Sequence, residues 1–529
     1  MHLKIKKITV AVLMLSAAVS VHAQIYKVAL SGSNEIPAVT PGGSGTAVVV
    51  LNSTTHEMRV SANFTGLVGN STASHIHCCA VQPANAGVAT TTPAFVGFPI
   101  GVTAGAWDNT YNMTLPGTWN AAFITANGGT PANAETAFIS GVAAGRSYLN
   151  IHSAISPGGE LRGNLVPHSF VASASMRSNS IAAALDSLGT GTGAVTDRLV
   201  GMAMLTSAGE KSAMELLLPS SAFAVQTVTS NTLLTAFDQM GSRLQGLRIS
   251  AAGTTAAENG LWVNGVSIAN KQDTTSGYAG FDANGWGFAM GYDQQMAPGL
   301  LLGASISMAE HSMNFKDQLA GSNTSISNQQ LSLYGSKEIG KGYVEAMVSF
   351  GGNNIDFLRN AGLAGYARAQ ANSDQWAARI GGGYNVALTT AITMTPQVRI
   401  DWGSLNLGSY QEFGAGGLAL NVNSQSLDRA HSSIGAQFDW NGGVGFAPFL
   451  RGLWNHECKD GGSNQMAAFV NGGNSFVDIG QKVDTNAYSL GVGINFHGKS
   501  GMSASIAYDM VSSTNYQADI FHAKLFWAF

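Results

Sequence analysis

Charge is scarce in this sequence: Asp, Glu, Lys and Arg make up 11% of its 529 residues, and the net charge is −4. No basic run occurs beyond the first seven residues, so the electrostatic footprint that nucleic acid requires is missing and no nucleic-acid partner is expected. Cysteine is almost absent. The three present, Cys78, Cys79 and Cys458, are an odd number and too few for a disulfide framework. After Ala23 no stretch of about 18 apolar residues occurs, so no membrane-spanning helix is expected. Phosphate loops, nucleophile elbows and paired catalytic carboxylates are also lacking, and "GTGTG" at Gly189–Gly193 is framed by no strand, lysine or helix. A flexible link is the reading for it, and no enzymatic activity is expected.

What the chain does have is small and apolar residues: 65 glycines and an apolar content of 45%. The first 23 residues read as an export signal, with Lys4, Lys6 and Lys7 ahead of an apolar run from Ile8 to Val19 and the small-x-small site Val21-His22-Ala23. In the last strand Phe521, Ala523, Leu525, Trp527 and Phe529 alternate with Ile520, His522, Lys524, Phe526 and Ala528. The same period of two recurs in the preceding hairpin and puts the two sets on opposite faces of a sheet. Short turns near Pro298, Lys341, Thr389, Gly442 and Gly498 alternate with longer polar connections at 311–325, 354–373, 404–424 and 459–484. Glycine, Ser, Asn and occasional charges such as Arg399 and Asp401 fall on the inward face, and Val, Ile, Leu, Met and aromatics on the outward one. That inversion of a soluble barrel predicts an antiparallel transmembrane β-barrel of twelve strands over 254–529, with its apolar band toward outer-membrane lipid.

The segments "GFAMGYDQQMAPGLLLGASISMAEHS", "TPQVRIDWG", "RGLWNHECKD" and "AKLFWAF", taken in that order, resemble the translocator barrel of bacterial autotransporters. The resemblance implies type V secretion and the outer membrane of a Gram-negative cell. It also implies that Phe521, Ala523, Leu525, Trp527 and Phe529 form the signal read by the barrel-assembly machinery. Between 169 and 253 strand alternation is lost. Leu233, Phe237, Met240, Leu244 and Leu247 recur at helical spacing, which predicts a helix over about 220–248, roughly 43 Å long at about 1.5 Å per residue. The resemblance implies that such a helix threads the barrel; a small helical bundle beneath it is the other reading.

Residues 24–168 are expected to form a separate β-sandwich with one or two short helices. The pieces "LSGSNEIPAV", "SHIH", "YLNIHS" and "PGGELRGNL" resemble the chordin-type CHRD domain over nearly all of this unit. The resemblance implies an extracellular β-domain that binds a ligand, which in animal members is a growth factor. Cys78-Cys79 departs from the small residues expected after the histidine pair.

His75 and His77 share one strand face, with backbone positions about 7 Å apart, a spacing at which two imidazoles can grip one metal ion. His152 could supply a third donor, and Glu160 or a thiolate a fourth. No cofactor is demanded by the motifs, but a metal held here would be copper or zinc. The competing reading is a structural polar network of His152, Glu160 and Arg162, and a third is a polar ligand-binding face. Cys78 and Cys79 could instead close a vicinal disulfide. The leading functional expectation is an outer-membrane anchor displaying a chordin-like binding domain at the cell surface. The alternatives are a surface or periplasmic metal-binding protein, redox-active or not, centred on the His-x-His pair, and a pore with a periplasmic plug.

Overall fold

The computed structural model describes residues 24–40, 43–188, 193–251, 259–275, 277–440, 445–459, 462–497 and 502–528. The export signal at 1–23, the greater part of "GTGTG" and Phe529 lie outside the described residues. The chain divides into two compact units, one ending at His168 and the other beginning at Ser169.

The first unit is built on β1 (Gln24–Ser31), β2 (Ser44–Asn52), β3 (Glu57–Thr65), β4 (Ser71–Cys78), β5 (Gly105–Asn112), β6 (Ser147–Ser153), β7 (Leu161–Asn164) and β8 (Val166–Pro167), with α1 (Ala121–Ala126) and α2 (Pro131–Ala143) between β5 and β6. In place of two separate sheets, the strands hydrogen-bond into one sheet in the order β4-β6-β7-β1-β2-β3-β5, with β8 also on β1. One core serves the whole sheet: Ile76, Leu149, Leu161, Val28, Val49, Val60 and Trp107 belong to a single cluster that draws on β1–β7. Strand alternation is plain in β3, where Met58, Val60, Ala62 and Phe64 are buried and the residues between them are not. Helix α2 starts at Thr130, whose side chain accepts from the Asn133 amide, followed by Pro131 at the first helical position. It buries Ala134, Phe138 and Val142 along one stripe against the same core.

The second unit holds a sheet of fourteen strand segments, two of which, Val386–Ala387 and Phe413–Gly414, are two-residue pieces, leaving twelve long strands. The last of these, Tyr516–Ala528, pairs antiparallel with the first, β9 (Gly260–Gln272), and closes the barrel. Every neighbouring pair is antiparallel, as twelve up-and-down strands require. Outward positions are apolar: Phe288, Met290, Leu331, Leu333, Val398, Ile400, Trp402, Leu490 and Val492 are exposed. Exposed to water, so continuous an apolar belt would aggregate; toward acyl chains it is the stable arrangement. The inward face carries Asn264, Ser332, Ser349, Asn353, Gln375, Arg379 and Asp401, all buried.

Two connections predicted as long loops are shorter. The strands β11 (Leu300–Phe315) and β12 (Asn323–Ile339) run on into 311–325, and Gly342–Asn360 and Tyr366–Tyr384 into 354–373. Polar residues there keep the ladder going, as in the Asn353–Ser373 pair, because backbone pairing does not depend on an apolar face. The remaining two long connections build a separate four-stranded sheet from Tyr410–Gln411, Leu420–Val422, Asn464–Phe469 and Gly472–Ile479.

In the second unit, four α-helices precede the barrel among the described residues: α3 (Asn179–Ser187), α4 (Ala194–Ala203), α5 (Ser207–Leu216) and α6 (Ser221–Ala251). The first three cover the long-loop end. Ser180 and Ser187 of α3 accept from the amides of Val477 and Asn474, and Arg359 donates to the Leu216 carbonyl of α5. Helix α6, 31 residues and about 46 Å at roughly 1.5 Å per residue, threads the lumen. Asn231 bonds Tyr516, Thr232 bonds His311, Asp238 pairs with Arg379 and Arg399, and Arg243 pairs with Asp293. These partners sit on strands all round the barrel. The lumen also differs from the wholly polar interior expected: Leu233, Phe237, Met240 and Leu244 pack against inward-facing Trp262, Tyr334, Met347 and Phe526. The apolar face of the helix is thereby paired inside the barrel.

Candidate metal centre

Strands β4 and β6 pair with His75 opposite Asn150, His77 opposite Tyr148 and Ala73 opposite His152. Ile76, Leu149 and Ile151 point into the hydrophobic core. The period of two therefore sends His75, His77, Tyr148, Asn150 and His152 to the other face. That face is covered as well: every residue of β6 is buried.

The covering segments fix each imidazole. His75 Nδ1 lies 3.2 Å from the Pro93 carbonyl, His77 Nδ1 2.8 Å from that of Ala86, and His152 Nδ1 3.0 Å from that of Pro157. A carbonyl oxygen only accepts, so all three Nδ1 atoms donate, and in the neutral rings the lone pairs stand on Nε2. The Nε2 atoms of His75 and His152 are 3.0 Å apart, and His77 Nε2 is buried with no hydrogen-bond partner. One nitrogen from each of the three rings falls within 4.8 Å of the other two. Burial, reinforced by the neighbouring rings, pushes His75 down to about 4; burial takes His77 to about 4 as well, against the opposing effect of the Ala86 carbonyl. Burial also lowers His152. Three neutral rings thus turn their lone pairs toward one another, and among the described residues no proton donor meets them there. Backbone carbonyls holding the far nitrogens are the outer-shell arrangement that orients imidazole ligands on a metal.

Glu160, the expected fourth donor, does not join the histidines. It accepts from the backbone amides of Val68, at 2.5 Å, and Gly69, at 3.3 Å. His152, Glu160 and Arg162 do not bond one another either. Arg162, almost fully buried, donates to Asn85 at 2.7 Å, to Gln82, and to the carbonyls of Pro83 and Ala84. Its guanidinium covers the Tyr148 ring at 3.6 Å, and that ring stacks on His77 at 4.7 Å. In β7 Arg162 lies opposite Asn150, not His152, so the hairpin register separates the three. Cys78 and Cys79 are joined to each other by a disulfide across a cis peptide bond, which leaves neither sulfur in the set. Cys458 is free and exposed.

Glu35 and the carbonyls of Ala86, Pro93 and Pro157 were not among the expected site groups. Glu35 is buried, receives the Asn150 amide at 3.5 Å, and has one oxygen unpartnered. Burial pushes its carboxyl up to about 7 against the opposing pull of Arg162. A signal for it was present in "SGSNEIPAV", a carboxylate between turn residues. The carbonyls have none, because any residue supplies one.

Residues 26–165 match the family model of the CHRD domain, and residues 261–509 match that of the autotransporter beta-domain. Among curated proteins, the chain is 23% identical over 327 residues to outer membrane protein B of Rickettsia prowazekii, covering 56% of this chain and 20% of that protein. It is 24% identical over 234 residues to lipase 1 of Photorhabdus luminescens, covering 43% of this chain and 36% of that one. The chain thus spans well under half the length of these relatives. The solved translocator domain of the autotransporter NalP from Neisseria meningitidis aligns with a TM-score of 0.45 at 14% identity, over 57% of this chain and 99% of that one.

Proposed function

We propose that this outer-membrane protein, in which a CHRD domain is joined to an autotransporter β-domain, anchors that domain and displays it at the cell surface to bind an extracellular ligand. The observation that carries the reading is the direction of α6. Near its start, Ser220 and Gln226 bond Asp478 and Ser463 of a long connection. Near its end Arg243 grips Asp293, on the strand leading into the short turn at Ala297–Leu300. The chain therefore enters the lumen from the long-loop side, and β9 begins at the short-turn side beside Asp293. In outer-membrane barrels the long loops face outward, so the start of α6 lies on the outer side, which supports display of residues 26–165 there. Intact cells treated with protease should lose an epitope placed in residues 26–165. Protection until the outer membrane is opened would favour a periplasmic plug instead.

We further infer that the outward residues Phe521, Ala523, Leu525 and Trp527, together with the final Phe529 of the sequence, are what the barrel-assembly machinery reads. A second reading, that the displayed domain is a metal-binding domain, is favoured by the convergence of His75, His77 and His152 on one point. Metal analysis of the purified full chain tests it: a stoichiometric ion that disappears in a His75→Ala, His77→Ala double variant supports it, and a metal-free wild type after exposure to copper and zinc removes it.

A further inference from the structure

We propose, resting on the metal-binding reading, that the ion taken by His75, His77 and His152 is monovalent copper, held by the three Nε2 atoms with no protein ligand in a fourth position. Three features carry this. The first is ligand count. Among the described residues the cluster of possible metal donors contains three histidines and no carboxylate or thiolate. Glu160 is occupied by two backbone amides, and the two nearby sulfurs are bonded to each other. Zinc in proteins is almost always four-coordinate and would have to recruit an outside ligand.

The second is charge. All three donors are neutral imidazoles, so the full charge of the ion stays on the site. Beside the histidines the buried Arg162 guanidinium, lying over Tyr148, whose ring stacks on His77, adds positive charge, and the buried Glu35 carboxyl that opposes it bonds Asn150 and none of the three rings. Desolvating an ion costs more as the square of its charge, and an unneutralised buried charge is expensive. A monocation meets about a quarter of the penalty that a dication meets in the same Born picture.

The third is enclosure. The three rings are oriented by carbonyls of Pro93, Ala86 and Pro157, and their ligand nitrogens, within 4.8 Å of one another, need only draw together slightly to meet on one ion. His75, His77 and His152 keep only 6%, 9% and 8% of their surface exposed, which leaves little room for the several waters a harder ion retains. Imidazole nitrogen suits zinc and copper alike, so the choice between them falls to charge and coordination number, and copper in its lower charge state meets both limits together.

The test uses the full chain purified in detergent, stripped of metal and handled under nitrogen. Copper(I) is supplied as its acetonitrile complex and zinc(II) as its chloride, each against a chromogenic chelator. The expected result is one copper(I) per chain, with an X-ray absorption edge of three-coordinate copper(I) and a shell of three imidazole nitrogens. Zinc(II) should bind more weakly than copper(I). His77→Ala should lower copper(I) affinity by at least about a hundredfold, the upper end of what losing even an outer-shell partner costs. Because His77→Ala could unfold the domain, the absorption spectrum of the wild type decides the matter independently. Tight stoichiometric zinc with weaker copper(I) would overturn the monovalent assignment and leave the metal-binding reading standing. Failure of both ions to bind the wild type would overturn both.

Discussion

At Gly163 the strand β7 runs so close to β1 that an added Cβ would lie 2.5 Å from the Ala29 carbonyl oxygen and from a Val28 methyl. Backbone cannot yield as a flexible side chain can, so Gly163→Ala should destabilise the N-terminal unit by about 1–3 kcal/mol, read as a lower urea midpoint. Gly159, four residues earlier, has φ +128° and sits against Glu35 and Asn150. These two positions account for two of the three glycines in "PGGELRGNL". Glu35 gives a second test. Its folded-state carboxyl titrates at about 7, above the ordinary 4.5. The folded state therefore holds that proton more tightly than the unfolded one, and the associated stability is full below about pH 4.5 and lost as pH rises through about 7. Glu35→Gln should remove this loss, so the variant gains on the wild type between those limits in urea titrations at stepped pH. The His-x-His pair was legible from strand period alone, and His152 from its place in a second strand. That Glu160 stays out of the cluster was not, since it depends on which turn amides reach the carboxylate.

Among the elements, α6 carries the clearest lesson. Its helical spacing could be read from Leu233, Phe237, Met240 and Leu244, residues that a wholly polar lumen would not accommodate. They are accommodated because Trp262, Tyr334, Met347 and Phe526 turn inward to meet them, and alternation in one strand cannot announce what fills the opposite side. The helix is then pinned by charge. Arg243 donates to both oxygens of Asp293 at 2.7 and 2.9 Å, Tyr334 donates to the same carboxylate, and both members of the ion pair are buried. Arg243→Ala leaves Asp293 buried without its cation and should cost about 3–5 kcal/mol. The expected readout is a lower temperature for loss of the folded band in semi-native electrophoresis. The extended strands at 311–325 and 354–373 illustrate the complementary limit: a polar composition resembles a loop, although ladder bonds need no particular side chain.

For the whole molecule, the order of parts was legible: an N-terminal β-unit, a helical segment, and a barrel whose outward face is apolar. The closed cylinder followed from alternation repeated across a dozen strands, whereas the single curled sheet of the N-terminal unit depends on pairings far apart in sequence. The outward residues of the last strand serve to separate recognition from stability. Phe521, Leu525 and Trp527 point away from the lumen. Phe521→Ala with Trp527→Ala should reduce folded protein recovered in outer membranes several-fold. The same variant refolded in detergent should keep its heat-modifiable band. Equal losses in both settings would make the residues merely structural.

Helix α6 occupying the lumen, with α3–α5 and the four-stranded loop sheet over one mouth, has an electrical consequence. In a planar lipid bilayer the full chain should hold the current at baseline, while excision of residues 221–251 should produce discrete conductance steps. Held at that baseline, many copies in one membrane would add no ion leak.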